Sequence, residues 1–360
     1  MFVVEDLILG EEKIEYVKLG KEKGFSALEN EIILKDLCMS CGLCESICQE
    51  EVIKVEEQPL LIGECSNCGD CLIYCPRSFL PIDDGEVLGE YVMKIAARAK
   101  DERITKVSQD GGFVTALLCY ALEKKIIDGA IVSMTTEEWR AKPFLATSIE
   151  EIINAAGSKY TPSPNLRLLK GAKERGLKSI ALVGLPCHIQ GVAKLQHYNN
   201  DLAKIIKFAV GLFCKSSFNT SLLREFVTKY NIDLNKVKKL DIKGKYFRVY
   251  KNGDVIKVPM KEIGKFARSS CKYCFDFSAK LADFSVGSVG SAEGYSTVIV
   301  RSEIANELLN GMMEEGVIET TEVEDELIIK LSETKIKEAK KRVKAKIKEE
   351  LPLALKQFVR

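Results

Sequence analysis

One cysteine spacing occurs twice in this chain, and no other feature constrains its fold as tightly. Cys38-Met-Ser-Cys41-Gly-Leu-Cys44-Glu-Ser-Ile-Cys48 reads C-x2-C-x2-C-x3-C, and Cys65-Ser-Asn-Cys68-Gly-Asp-Cys71-Leu-Ile-Tyr-Cys75-Pro76 repeats it with a trailing proline. Three thiolates so closely spaced wrap one corner of a cubane 4Fe-4S cluster through a tight loop, where Gly42 and Gly69 relieve crowding. The fourth sits on the following helical turn and points at the neighbouring cluster. The spacing therefore assigns Cys38, Cys41, Cys44 and Cys75 to one cluster, and Cys65, Cys68, Cys71 and Cys48 to the other. Structural zinc needs four ligands per site and has no use for a second C-x2-C step within each motif.

The motif pair marks a small two-cluster domain of the bacterial ferredoxin type over residues 30–85, after a lead segment at 1–29. Gln49 replaces the proline that usually follows the fourth cysteine, which removes no ligand. Of 13 cysteines, only Cys119, Cys187, Cys214, Cys271 and Cys274 lie outside this region. The first residues lack a basic segment ahead of an apolar stretch, so disulfides are not expected and the cysteines point to metal or redox chemistry. No run approaches the roughly 18 apolar residues of a membrane span. The expectation is a soluble, cytoplasmic protein able to dock peripherally on a membrane complex. A net charge of +1 argues against a nucleic-acid partner. His188 and His197 are the only histidines, which weakens zinc-hydrolase and triad readings.

Beyond Gly85 the pattern is mixed α/β. Thr115 to Ile127, Ile152 to Ala156, Leu166 to Arg175 and a segment from Cys187 through Leu195 read as helices. Ala130 to Val132, Ile180 to Val183, Ile205 to Phe213, pieces of Lys238 to Val258, and Thr297 to Val300 read as strands. Residues 90–175 and 176–332 form the two parts of this domain, and 333–360 reads as an exposed, basic, amphipathic helix. Cys187 and Cys214 each follow a strand, and strand ends in α/β domains converge on one edge where sites form. With Cys271 and Cys274 they suit a third cluster; buried structural cysteines are the competing account. Cys119 lies on an apolar helix face and reads as core. His188, at a helix start, reads as a satisfied polar residue.

Ser108-Gln-Asp-Gly111-Gly112-Phe-Val-Thr115 places a glycine-containing loop before a helix, where free N–H groups suit a phosphate or pyrophosphate. This segment, Gly157-Ser158-Lys159-Tyr160, Gly184-Leu185-Pro186-Cys187, Gly211-Leu212-Phe213-Cys214 and Ala282-Asp283-Phe284-Ser285-Val286-Gly287-Ser288 follow one another in this order. Together they resemble the family of beta subunits of the coenzyme F420-reducing hydrogenases, which includes formate dehydrogenase beta subunits. The resemblance covers about residues 90–320. It implies a mixed α/β flavoprotein domain with FAD cradled by Ser108, Gly111, Gly112 and Thr115, and with Ser158, Lys159 and Tyr160 nearby. It also implies that Cys187, Cys214, Cys271 and Cys274 hold a third 4Fe-4S cluster. The fused N-terminal two-cluster domain resembles the input subunit of archaeal F420H2 dehydrogenase complexes.

On this resemblance the expected function is oxidation of reduced coenzyme F420, with hydride passing to FAD. Single electrons then travel through three 4Fe-4S clusters to a ferredoxin or a larger redox complex, a route reversible in principle. Hydride transfer requires no acid–base side chain, and no catalytic residue is assigned. The alternatives are a non-catalytic electron-relay subunit of a hydrogenase or formate dehydrogenase complex, and a flavin reductase of the same family with another substrate. Gly287, Ser288 and Gly290 suit either the close approach of a planar ring or a plain turn.

Overall fold

The computed structural model describes residues 10–79, 86–251, 253–346 and 351–356. The lead residues before Gly10, the expected boundary at Gly85 and the last four residues of the chain lie outside the described residues. Thirteen strands are present among those described. A short antiparallel hairpin joins β1 (Ile53–Val55) to β2 (Pro59–Leu61). Next come β3 (Met93–Ala99), β4 (Gly129–Thr135), β5 (Ala141–Ala146), β6 (Ile180–Gly184) and β7 (Ile206–Leu212). The remainder are β8 (Val237–Lys243), β9 (Tyr246–Lys251), β10 (Asp254–Pro259), β11 (Phe284–Gly287), β12 (Ser296–Val300) and β13 (Ile318–Thr321).

Eight of these strands form one mixed sheet in the order β13-β3-β12-β11-β7-β6-β4-β5. Its centre, β4-β6-β7-β11, is parallel. The flanking pairs, β4 with β5, β11 with β12, β12 with β3 and β3 with β13, are antiparallel. A parallel sheet must be covered on both faces, so its strands read as unbroken apolar runs. Ile180-Ala-Leu-Val-Gly184 is such a run and is buried throughout. The helix Phe113–Glu123 packs on one face with Phe113, Leu117, Leu118 and Cys119 buried. The rings of Phe113 and Phe208 meet Phe284 edge-on, with centroids 5.6 and 6.3 Å away. The helix Pro186–His197 contacts β6 and β7 and buries Val192 and Leu195 in the apolar cluster of Leu166, Ile180 and Leu182.

The strands expected from sequence at Ala130 to Val132, Ile180 to Val183, Ile205 to Phe213 and Thr297 to Val300 are present as β4, β6, β7 and β12. Lys238 to Val258 becomes the antiparallel sheet β10-β9-β8, whose core is the fully buried Phe247 against Phe218, Phe226 and Tyr160. The helix expected over Leu166 to Arg175 opens as a tighter turn, Asn165–Leu168, before becoming α-helical over Leu169–Glu174.

The cysteine-rich segment shares its apolar contacts with the rest of the chain. Leu43 and Ile47 are buried in the cluster of Ile131, Leu166 and Leu182. Ser46 Oγ donates to Leu166 O at 2.6 Å, and Leu166 N donates to Cys41 O at 3.0 Å. On the other side, Leu28, Ile32 and Leu37 join Phe275, Ala339 and Val343 in one cluster. Ala339 and Val343 belong to the helix Glu326–Ala345, which starts before the 333–360 segment expected and is amphipathic, with one face exposed and the other buried. Ile328, Ser332, Lys335, Ala339 and Val343 recur at helical spacing and are buried. No helix among the described residues is long and apolar enough to cross a membrane.

Candidate redox centre

The two cysteine loops share one backbone conformation. Ser40 and Asn67 both take positive φ, 54° and 57°, and two residues later Gly42 and Gly69 take 89° and 83°. This left-handed pair folds each loop back on itself, so the N–H groups of Ser40 and Asn67 each point at the sulfur two residues earlier. Ser40 N donates to Cys38 Sγ and Asn67 N to Cys65 Sγ, both at 3.4 Å. Each glycine then opens a short helix, Leu43–Ile47 or Asp70–Ile73, which carries the third cysteine of its motif. Neither glycine has room for a side chain. A Cβ on Gly42 would lie 2.6 Å from Pro164 O, and one on Gly69 would lie 2.3 Å from Gly20 C.

Cys38, Cys41, Cys44 and Cys75 line one cavity together with Cys71, enclosed by apolar residues that include Leu28, Ile33 and Val55. Burial, with Cys75 and Cys38 close by, pushes the Cys41 thiol up to about 12. Cys44 is driven up in the same way by burial and by Cys41, Cys38, Cys75 and Cys71. Burial raises Cys75 to about 11, against the pull of Lys194 and Arg77. Cys71 is raised by burial and then by Cys68, Cys65 and Cys75. Cys48 is buried in the same apolar cluster as Cys71, with Cys65 packed against it. The geometry therefore brings Cys75 to the first motif's cysteines, across the sequence repeat.

The four scattered cysteines also meet. Cys187 is the second residue of the helix after β6, Cys214 follows β7, and both lie at the carboxyl edge of the parallel strands. Cys214 N donates to Phe277 O at 2.9 Å, tying β7 to the segment after Cys274. Burial raises Cys187, and Cys214, Cys41, Cys274 and Cys271 add to it. Cys41 among these neighbours puts the scattered group beside the first-motif group. Ser217 N donates to Cys271 Sγ at 3.4 Å. Among the described residues no group of three or more His, Cys, Asp or Glu converges as one bound ion would require. A cubane spreads its four thiolates over four irons and holds the sulfurs farther apart than a single ion does. Buried thiols that repel one another as thiolates are the donor chemistry a cationic cluster core satisfies.

His188 is buried and satisfied. Its Nδ1 accepts from Leu185 N at 2.9 Å, so Nε2 carries the proton donated to Ser163 O at 2.8 Å. Burial lowers its pKa to about 4, and the ring is neutral at ordinary pH. It braces the turn that presents Cys187. Cys119 is a core residue, pushed up to about 12 by burial.

The loop Ser108 to Thr115 lies on a second polar focus. Gly112 takes φ 75° at the cap of the helix Phe113–Glu123 and supplies no side-chain cap. Gly111 lacks a side chain for a protein reason: a Cβ there would lie 2.3 Å from Ala97 O and 2.6 Å from Ser296 N. Ser108 Oγ donates to Asp110 O at 2.8 Å, and Thr115 is buried one turn into the helix. Ser158 N donates to Gln109 Oε1 at 3.3 Å, which brings Ser158, Lys159 and Tyr160 to the loop. Lys159 donates to Ala156 O and Gly157 O at 2.8 and 2.9 Å and also to Ala155 O, closing the end of the preceding helix Ile149–Asn154. Burial lowers its pKa to about 8. Tyr160 is raised by burial, with Asp241 and Asp110 adding to the effect.

Four residues of this focus were not singled out in the sequence. Gln109 Nε2 donates to Asp241 Oδ1 at 2.9 Å, and Lys239 Nζ donates to Gln109 O at 2.6 Å. Asp110 accepts from Ser288 Oγ. Gln109 and Asp110 sit inside a motif chosen for its glycines; Lys239 and Asp241 come from β8, with no sequence signal linking them to it. Gly287 and Gly290 serve packing: a Cβ on the first would lie 2.1 Å from the Phe213 ring, and one on the second 2.5 Å from Glu324 O.

Comparison with known proteins matches residues 94–170 to the N-terminal part, and 177–326 to the C-terminal part, of the coenzyme F420 hydrogenase/dehydrogenase beta subunit. The chain is 40% identical over 278 residues to the beta subunit of the coenzyme F420 hydrogenase of Methanothermobacter thermautotrophicus, covering 74% of this chain and 99% of that one. It is 30% identical to a subunit of the F(420)H(2) dehydrogenase of Methanosarcina mazei, covering 85% of this chain and 91% of that one. A chain in the F420-reducing [NiFe] hydrogenase complex from Methanosarcina barkeri superposes with a TM-score of 0.70 at 38% identity, over 74% of this chain and 95% of that one. Ordered motifs, sheet and relatives agree, and this chain belongs to the family of coenzyme F420 hydrogenase/dehydrogenase beta subunits.

Proposed function

We propose that this chain is an iron–sulfur flavoprotein that oxidises reduced coenzyme F420 at an FAD site and passes electrons singly to a protein partner. The observation that carries the reading is the placement of Cys187, Cys214, Cys271 and Cys274 at the carboxyl edge of the parallel strands, next to Cys41 of the first motif. That adjacency supplies a continuous series of thiol groups from the α/β domain to Cys65, Cys68, Cys71 and Cys48. When bound, a flavin turns the two-electron hydride of F420 into single electrons that 4Fe-4S clusters carry onward.

The chain's own residues divide the work. Gly112 leaves the start of the helix Phe113–Glu123 without a side-chain cap, which suits a pyrophosphate at its positive end. Lys239, Gln109 and Asp241 fix the loop before it. Thr115, Ser158 and Tyr160 border the same focus, while Lys159 holds it in place through backbone carbonyls. Leu28, Ile33 and Val55 exclude water from Cys38, Cys41, Cys44 and Cys75.

The alternative, a relay subunit without flavin, draws on one observation: protein atoms alone account for the missing side chain of Gly111. Anaerobic purification and reconstitution separate the two. The proposal expects about twelve iron per chain, bound FAD, and bleaching of reduced F420 with a dye acceptor. Iron without flavin would leave the relay reading in its place.

A further inference from the structure

Among the described residues five lysines and arginines are buried: Arg77, Lys194, Arg268, Arg301 and Lys335. Uncompensated buried cations are costly, so their positions are informative. Four of the five border cysteine groups. Arg268 Nη2 donates to Cys38 O at 2.9 Å. Arg77 donates to Tyr273 O and Ser270 O at 2.8 and 2.9 Å, on either side of Cys271. Lys194 donates to Phe79 O at 3.1 Å and lies near Cys75.

Lys335 also borders the scattered group, at Cys214. It comes from the helix Glu326–Ala345, almost wholly beyond the residues matched to the family. Its Nζ donates to Cys214 O, and to Asp276 O at 2.8 Å. Both acceptors are neutral carbonyls, so neither cancels its charge. The side chain is buried, and its two acceptors belong to Cys214 itself and to the residue two places after Cys274. The Asp276 carboxylate is the acidic group nearby; it accepts from Lys280 N at 3.1 Å. The helix is anchored independently of this lysine by Ile328, Ala339 and Val343.

We propose that Lys335 is a positioning residue whose buried positive charge makes the Cys187/Cys214/Cys271/Cys274 centre, when loaded with its cluster, easier to reduce. This rests on the reading that those four cysteines hold a 4Fe-4S cluster. Reduction adds one electron and no proton, so the loaded centre becomes more negative by one charge. A fixed cation in a water-poor setting favours that product more than the starting state. Arg77 and Arg268 lie between the Cys38 group and Cys271, so buried cations border both groups.

The test is an anaerobic redox titration of the reconstituted full chain, followed by EPR and dithionite reduction, on the native protein and on Lys335→Met, Lys335→Gln and Lys335→Arg. Iron and FAD are counted in every sample. The expected result is about twelve iron in all four. Both neutral variants should lower one midpoint potential by at least tenfold in the reduction equilibrium, roughly 59 mV for one electron, and Lys335→Arg should restore it. Full iron with unchanged potentials would overturn the proposal and leave the cluster reading intact. Loss of iron from both neutral variants would overturn it in favour of a purely structural lysine. About eight iron in the native chain would remove the third cluster, and the proposal with it.

Discussion

At the scale of single residues, Lys159 and His188 are held by backbone groups and not by partners of opposite charge. Lys159 shows this plainly. Its ammonium closes the end of the helix Ile149–Asn154 through backbone carbonyls, and burial holds its pKa at about 8 against an ordinary 10.5. Between those values the unfolded chain binds a proton that the folded chain does not, so this residue makes stability rise with pH. The stability advantage of native protein over Lys159→Met should therefore be flat below about pH 7.5 and grow from about pH 8 to about pH 10. Urea midpoints across that range measure it, and a difference flat throughout would mean the ammonium is not desolvated. His188 follows the same logic with neutral groups, since both ring nitrogens are used by backbone. Its expected role, a satisfied polar residue at a helix start, was legible because an isolated histidine beside a helix-opening proline has few other uses.

At the scale of elements, glycines set how closely the cysteine loops are approached. The helix Gly10–Lys23 crosses the second loop where Gly20 meets Gly69, and a Cβ on Gly69 would lie 2.3 Å from Gly20 C at a φ of +83°. Gly69→Ala must both strain the loop and push that helix away. The expected outcome is loss of about four iron per chain from the Cys65, Cys68, Cys71 and Cys48 group, with the other groups retained. Gly171→Ala is the control: nothing lies within 4 Å of its Cβ, and iron content should not change. Iron assay with EPR of the remaining clusters measures both. Sequence spacing named Gly42 and Gly69 as relieving crowding. It did not indicate that the crowding comes from Pro164 and Gly20, more than 40 residues away in the chain in each case. The strands were legible where β-branched and apolar residues run together, as in β6, β7 and β12. β3, β5 and β13 were not, because their exposed or half-buried faces interrupt the apolar run.

At the scale of the whole molecule, the cysteine-rich segment and the α/β domain share their apolar clusters, with Leu43 buried among Ile131, Leu166 and Leu182. Separate unfolding of the two parts would have to expose that shared surface. Leu43→Ala should cost about 2–5 kcal/mol, and should lower the urea midpoint seen by cluster absorbance and by far-ultraviolet circular dichroism together. Two separated transitions in the native protein would refute shared packing. From the sequence alone came the expectation that the cysteine repeat holds two clusters with Cys75 and Cys48 exchanged, and the structure brings Cys75 to the first motif's cysteines. Local spacing supports that expectation for the three closely spaced cysteines of each motif, which lie within one or two turns of each other. The sequence also marked the mixed α/β domain and its family, through motifs kept in order. What only the tertiary structure decided was long-range juxtaposition. That includes Cys41 beside Cys187, Lys239 and Asp241 from β8 beside Gln109, and Lys335 from a helix read as solvated turned inward onto Cys214. The reason is physical: a cation on an amphipathic helix reads the same in sequence whether it faces water or a buried cluster of thiols. Only the packed fold supplies the burial and the opposing charge that distinguish them.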